Sequence, residues 1–107
     1  MDFNEYQDLA SRSANKDLDN IRALCNWAMG LCGEAGEYSE IIKKFVFHGK
    51  PLTTDKAKDE LSDVLWYLSQ CARELDIKME DIAVHNINKL KARYPNSFVQ
   101  GGGIRNE

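Results

Sequence analysis

Cysteine, histidine, proline and surplus basic charge are all scarce in this chain. It holds three cysteines, Cys25, Cys32 and Cys71, in 107 residues. An odd count without regular short spacing excludes a disulfide framework and a zinc site. All three sit among apolar neighbours, so buried thiols in a reducing, cytoplasmic setting are expected. Two histidines, His48 and His85, are too few and too far apart for a histidine metal site. Lys and Arg number 14 against 17 Asp and Glu, a net charge of −3. That balance argues against binding a nucleic-acid polymer, which relies on basic surface. No apolar run approaches the roughly 20 residues that a membrane helix needs. The opening MDFNEYQDLA is too acidic and polar to read as a secretion signal. There is no GxxxxGK[ST] loop and no pattern suggesting an activated serine or cysteine nucleophile.

What is present is helical periodicity. No strand-like alternation appears, and the breaks fall at a polar stretch over 13–20, at Gly49 and Pro51, at a turn over 76–78, and at Pro95. Four helices are predicted: a short one near Phe3–Arg12, one from an Asn20 cap to about Phe47, one capped by Thr53 or Thr54, and one over Glu80–Tyr94. The second carries a stripe of Leu24, Trp27, Leu31, Glu34, Tyr38, Ile41 and Phe45 at steps of three and four. The third carries Ala57, Leu61, Val64, Leu68, Cys71 and Leu75. The fourth carries Ala83, Ile87, Leu90 and Tyr94. The expected fold is all-α, an antiparallel bundle of about four helices in one domain over 1–98, with a flexible tail over 99–107. The third helix is apolar over more than one stripe, which points to a homo-oligomer.

Carboxylates interrupt this pattern where a core belongs. Glu34 holds a seam position between Leu31 and Tyr38, and Glu37 follows at i+3. Glu60 and Asp63 repeat the spacing on the third helix. Antiparallel packing would bring the two pairs face to face, and such a cluster needs protons or cations to neutralise it. Hard oxygen donors select Mg²⁺, with Mn²⁺ as a substitute. A di-iron bundle needs Glu-x-x-His pairs, which are absent. Gly30, Gly33 and Gly36 lie at steps of three in the second helix. They suggest close approach of another helix or of a phosphate chain. Asn86, Lys89 and Arg93 form a polar line on the fourth helix suited to a polyphosphate.

These segments resemble a known family. GEAGEYSEIIKK (33–44), ELSDVLWYL (60–68) and NINKLKARYP (86–95) are similar to the MazG-like nucleotide pyrophosphohydrolases of the all-α NTP pyrophosphatase superfamily. The family pattern is Glu-x-x-Glu, a spacer, then Glu-x-x-Asp. Here Glu34 and Glu37, a spacer of 22 residues, and Glu60 and Asp63 fill it. The likeness runs from Asn26 to Phe98. It implies Mg²⁺-dependent cleavage of an NTP or dNTP between the α and β phosphates, giving a monophosphate and pyrophosphate. It implies a homodimer or a dimer of dimers with sites at the subunit interface. By carry-over, Glu34, Glu37, Glu60 and Asp63 are the metal and catalytic residues; Glu34 is the expected base because its seam position should desolvate it most. Asn86, Lys89, Arg93 and Lys44 are the expected substrate contacts, and Trp66, like Trp27, is a candidate for stacking on the base. A sister enzyme dedicated to dUTP or phosphoribosyl-ATP, and a non-catalytic oligomerisation module, are the alternatives.

Overall fold

The computed structural model describes residues 1–96, Phe98, Gln100 and Gly101. Most of the segment expected as a tail lies outside the described residues. Four helices and no strand are found among them: α1 (Phe3–Ser11), α2 (Asn20–His48), α3 (Thr54–Glu74) and α4 (Met79–Arg93). Among the described residues no helix is long and apolar enough to cross a membrane.

The caps explain the boundaries. Asp2 accepts the Glu5 amide at 2.8 Å and starts α1. Asp19, rather than the expected Asn20, caps α2 by accepting the Arg22 amide at 2.9 Å. Its carboxylate also meets the positive end of the helix, which an amide does not. Gly49 ends α2 in the left-handed region at φ 65°, and its amide returns to the Lys44 carbonyl. Thr53 opens α3 by accepting the Lys56 amide at 3.1 Å. A short loop therefore folds α3 back on α2 as an antiparallel hairpin.

The hairpin is the body of the molecule, α1 lies against α3, and α4 packs chiefly on α1. Hydrogen bonds to α1 and to the loop that follows it tie these pieces together. Trp66 donates its indole hydrogen to the Ala10 carbonyl at 3.2 Å and to Ser13 Oγ at 3.1 Å. Gln7, buried, donates to the Ile77 carbonyl at 2.9 Å and accepts the Met79 amide at 3.1 Å. Asn4 Oδ1 accepts the Glu80 amide at 3.3 Å. The first turn of α4 has no cap of its own, so α1 supplies it.

Two expectations about packing change. On α3, Glu60, Tyr67 and Glu74 face α2 at heptad steps, and Trp66 also meets Trp27. Of the expected stripe, Ala57, Val64, Leu68 and Cys71 are half-buried, while Leu61 is 46% and Leu75 59% exposed. Apolarity alone picks the leucine line, but the seam is built from carboxylates and aromatics. The cysteines are not buried either: Cys25 and Cys32 are exposed and Cys71 is intermediate. Cys25 and Cys32 lie on the face of α2 turned away from Trp27. Phe45, expected in the seam, is half exposed because α2 there runs beyond the start of α3.

Candidate functional site

The seam is closed at one end by aromatic packing. Trp27 is buried and donates its indole hydrogen to Glu74 Oε1 at 2.9 Å. Its ring meets Trp66 edge-on at a centroid separation of 5.6 Å, and Trp66 meets Tyr67 at 5.0 Å. Gly30 faces the Tyr67 ring where any Cβ would overlap it. Gly30 is thus the glycine that close helix approach requires; a Cβ at Gly33 or Gly36 meets nothing within 4 Å. Trp66, expected as a stacking surface for a base, is instead committed to α1 and the aromatic cluster. Trp27 is buried, more enclosed than the half-buried Trp66.

One turn along from Gly30, antiparallel register brings the carboxylates together. Oxygens of Glu34, Glu37 and Glu60 all lie within 4.8 Å of one another. Glu34 Oε2 and Glu60 Oε2 are shielded from solvent and have no hydrogen-bond partner. Burial, then the charges of Glu37 and Asp63, push the Glu34 carboxyl above its ordinary pKa. Glu60 is raised likewise by burial first, then by Glu37, Asp63, Glu34 and Asp59. Asp63 is exposed and falls outside the tight group of three, but its charge reaches both glutamates. Tyr6 of α1, which no pattern in the sequence marked, neighbours Asp63. Its hydroxyl is pushed up by burial and then by that charge.

Among the described residues no Lys or Arg pairs with these carboxylates; the ion pairs are Arg22 with Asp19 and Lys44 with Glu40. Two orphaned, shielded carboxylate oxygens beside a third carboxylate form an unfinished electrostatic structure. An all-oxygen donor set of this density fits a hard divalent cation.

The remaining site residues divide. Lys44 borders a cleft that adjoins Glu60. Asn86 and Lys89 are exposed on α4 and Arg93 is half-buried there. α4 packs chiefly on α1, and neither Lys89 nor Arg93 pairs with a carboxylate of the site.

The family model for the MazG nucleotide pyrophosphohydrolase domain matches residues 25–98, which contain all four acidic positions. The chain belongs to the MazG nucleotide pyrophosphohydrolase family. It is also 37% identical over 91 residues to the Gene 37 protein of Mycobacterium phage L5, an alignment covering 81% of this chain and 80% of that one. No solved structure gives a significant match. The family carries nucleotide pyrophosphohydrolysis, a hydrolysis of acid anhydrides, and is divalent-metal dependent, and the carboxylate cluster of α2 and α3 has the donors that such dependence asks for.

Proposed function

We propose that the protein is a Mg²⁺-dependent pyrophosphohydrolase of NTPs or dNTPs that releases a nucleoside monophosphate and pyrophosphate, serving nucleotide-pool house-cleaning in the cytoplasm. The observation that carries this is the convergence of Glu34, Glu37 and Glu60 with two shielded oxygens unpartnered, inside the family match. Glu34, Glu37, Glu60 and Asp63 would hold the metal. Bound there, Mg²⁺ (or Mn²⁺) supplies Lewis-acid polarisation of phosphate oxygens.

In the reaction a water oxygen bonds to the α-phosphorus and the bond to the α–β bridging oxygen breaks. The electron pair leaves on pyrophosphate. The proton of the attacking water passes to the Glu34 carboxylate, which holds a shielded oxygen with no hydrogen-bond partner. Lys44 meets charge on the polyphosphate.

The site is completed by a second copy of the chain. The radius of gyration is 16.8 Å, against about 13 Å for a compact chain of this length. Ala57, Leu61 and Leu65 line an apolar groove on α3, and Val84, Ile87 and Leu90 of α4 are 42–53% exposed. A homodimer or dimer of dimers would cover this surface and let Asn86, Lys89 and Arg93 serve a partner's carboxylates.

Metal-dependent melting tests the site. Mg²⁺ should raise the unfolding temperature of the native protein and leave a Glu34→Gln, Glu60→Gln double variant unmoved. An equal rise in both would place the ion elsewhere.

A further inference from the structure

The α2–α3 seam is asymmetric about its carboxylates. Toward Gly30 it is sealed by Tyr67 and the tryptophans. Toward the hairpin loop it opens into a cleft of about 370 Å³ bordered by Glu60. Three lysines, Lys44, Lys50 and Lys56, ring this cleft, and Ile41 and Pro51 form its apolar floor.

Local folding puts the lysines there. The left-handed Gly49 turns the chain so that the Lys50 amide also bonds the Lys44 carbonyl, at 3.1 Å, which folds Lys50 back beside Lys44. The Thr53 cap places Lys56 in the first turn of α3, four residues before Glu60 and on the same side. That first turn adds the positive end of a 21-residue helix. Asp59 is the other carboxylate in the lining. Among the described residues neither Lys50 nor Lys56 has a carboxylate within ion-pair distance, and Lys44 has only Glu40, at 4.0 Å.

We propose that this lysine cleft, through Lys50 and Lys56 in particular, grips the pyrophosphoryl end of the substrate and the inorganic pyrophosphate that leaves. The proposal rests on the hydrolase reading above. Since the other end of the seam is filled, an anhydride held at the carboxylates has its open path toward the loop. The ammonium groups there are free to take the charge that develops on the leaving group. Neither lysine is buried or used to cap a helix by its side chain, so both can be removed without disturbing the fold.

Binding of inorganic pyrophosphate with Mg²⁺, measured by calorimetry, tests this for the native protein, Lys50→Ala, Lys56→Ala and the double variant. Inhibition by pyrophosphate and by the monophosphate product is measured alongside, and metal-dependent melting controls for the carboxylate site. Each single variant should weaken pyrophosphate binding about tenfold, the size of one lost charge-assisted contact. Monophosphate inhibition and metal-dependent melting should not change. Weakened monophosphate inhibition with pyrophosphate binding intact would mean that the cleft takes the nucleoside on Ile41 and Pro51, and would overturn the proposal. So would variants that change neither, or a native protein that binds no pyrophosphate. A native protein that binds pyrophosphate through these lysines but hydrolyses no nucleotide would refute the hydrolase reading and leave the cleft assignment standing.

Discussion

Gly30 of α2 faces the ring of Tyr67 on α3 with no room for a Cβ between them. This contact sets the spacing of the two helices one turn from where Glu34 and Glu60 converge.

Gly30→Ala should therefore destabilise the protein by about 1–3 kcal/mol, the usual cost of overpacking, despite the better helix propensity of alanine. Gly36→Ala adds a Cβ to open space and should stabilise by up to about 1 kcal/mol. Chemical denaturation of both variants checks the pair. Equal effects would show that the Gly30–Tyr67 contact does not control helix spacing.

Much of this was legible in the sequence. Four helices, their loops and the four acidic positions follow from periodicity, caps and the Glu-x-x-Glu and Glu-x-x-Asp spacing. The polar part of the α3 seam was not: Leu61 and Leu75 outrank Glu60, Tyr67 and Glu74 on apolarity, yet the latter face α2 while the two leucines are exposed. Which glycine mattered was also hidden, because Gly30, Gly33 and Gly36 differ only in what lies across from them. The role of Trp66 depended on Ala10 and Ser13, which are distant in sequence. Lys50 was hidden because turn geometry, not spacing, folds it back beside Lys44; Lys56 stands four residues before Glu60, but the cleft it borders exists only once the loop folds.

The raised Glu34 and Glu60 carboxyls give the metal-free protein a pH dependence of definite sign. Their folded pKa values lie above the ordinary 4.5. The folded state therefore binds the proton more tightly, and this contribution to stability is fully present below about 4.5 and is lost as pH rises through the folded values. Without metal, the unfolding temperature should fall as pH rises above about 4.5. Glu34→Gln with Glu60→Gln should flatten that slope. Asp2 and Asp19, held below their ordinary values chiefly by the backbone amides of Glu5 and Arg22, act in the opposite direction and dominate only at lower pH. A metal-free protein whose stability rises with pH above about 4.5, or a double variant with the same pH slope, would contradict the desolvated cluster.

Gln7 should control the docking of α4. Gln7→Ala removes the partners of the Ile77 carbonyl and of the Met79 amide, and Met79 is buried. The expected cost is about 1–3 kcal/mol for polar groups left unsatisfied. Hydrogen exchange should show protection lost in Met79–Arg93 while the α2–α3 hairpin keeps its own. Uniform loss across all helices would mean that α4 docks by other contacts.

The central claim is the bond that breaks, and product analysis reads it directly. The protein is incubated with a panel of NTPs and dNTPs, with Mg²⁺ and with EDTA, and the nucleotides and phosphates are resolved by mass spectrometry. The expected result is a nucleoside monophosphate with pyrophosphate, formed with Mg²⁺ and abolished by EDTA. Nucleoside diphosphate with orthophosphate, or turnover unaffected by EDTA, would contradict it.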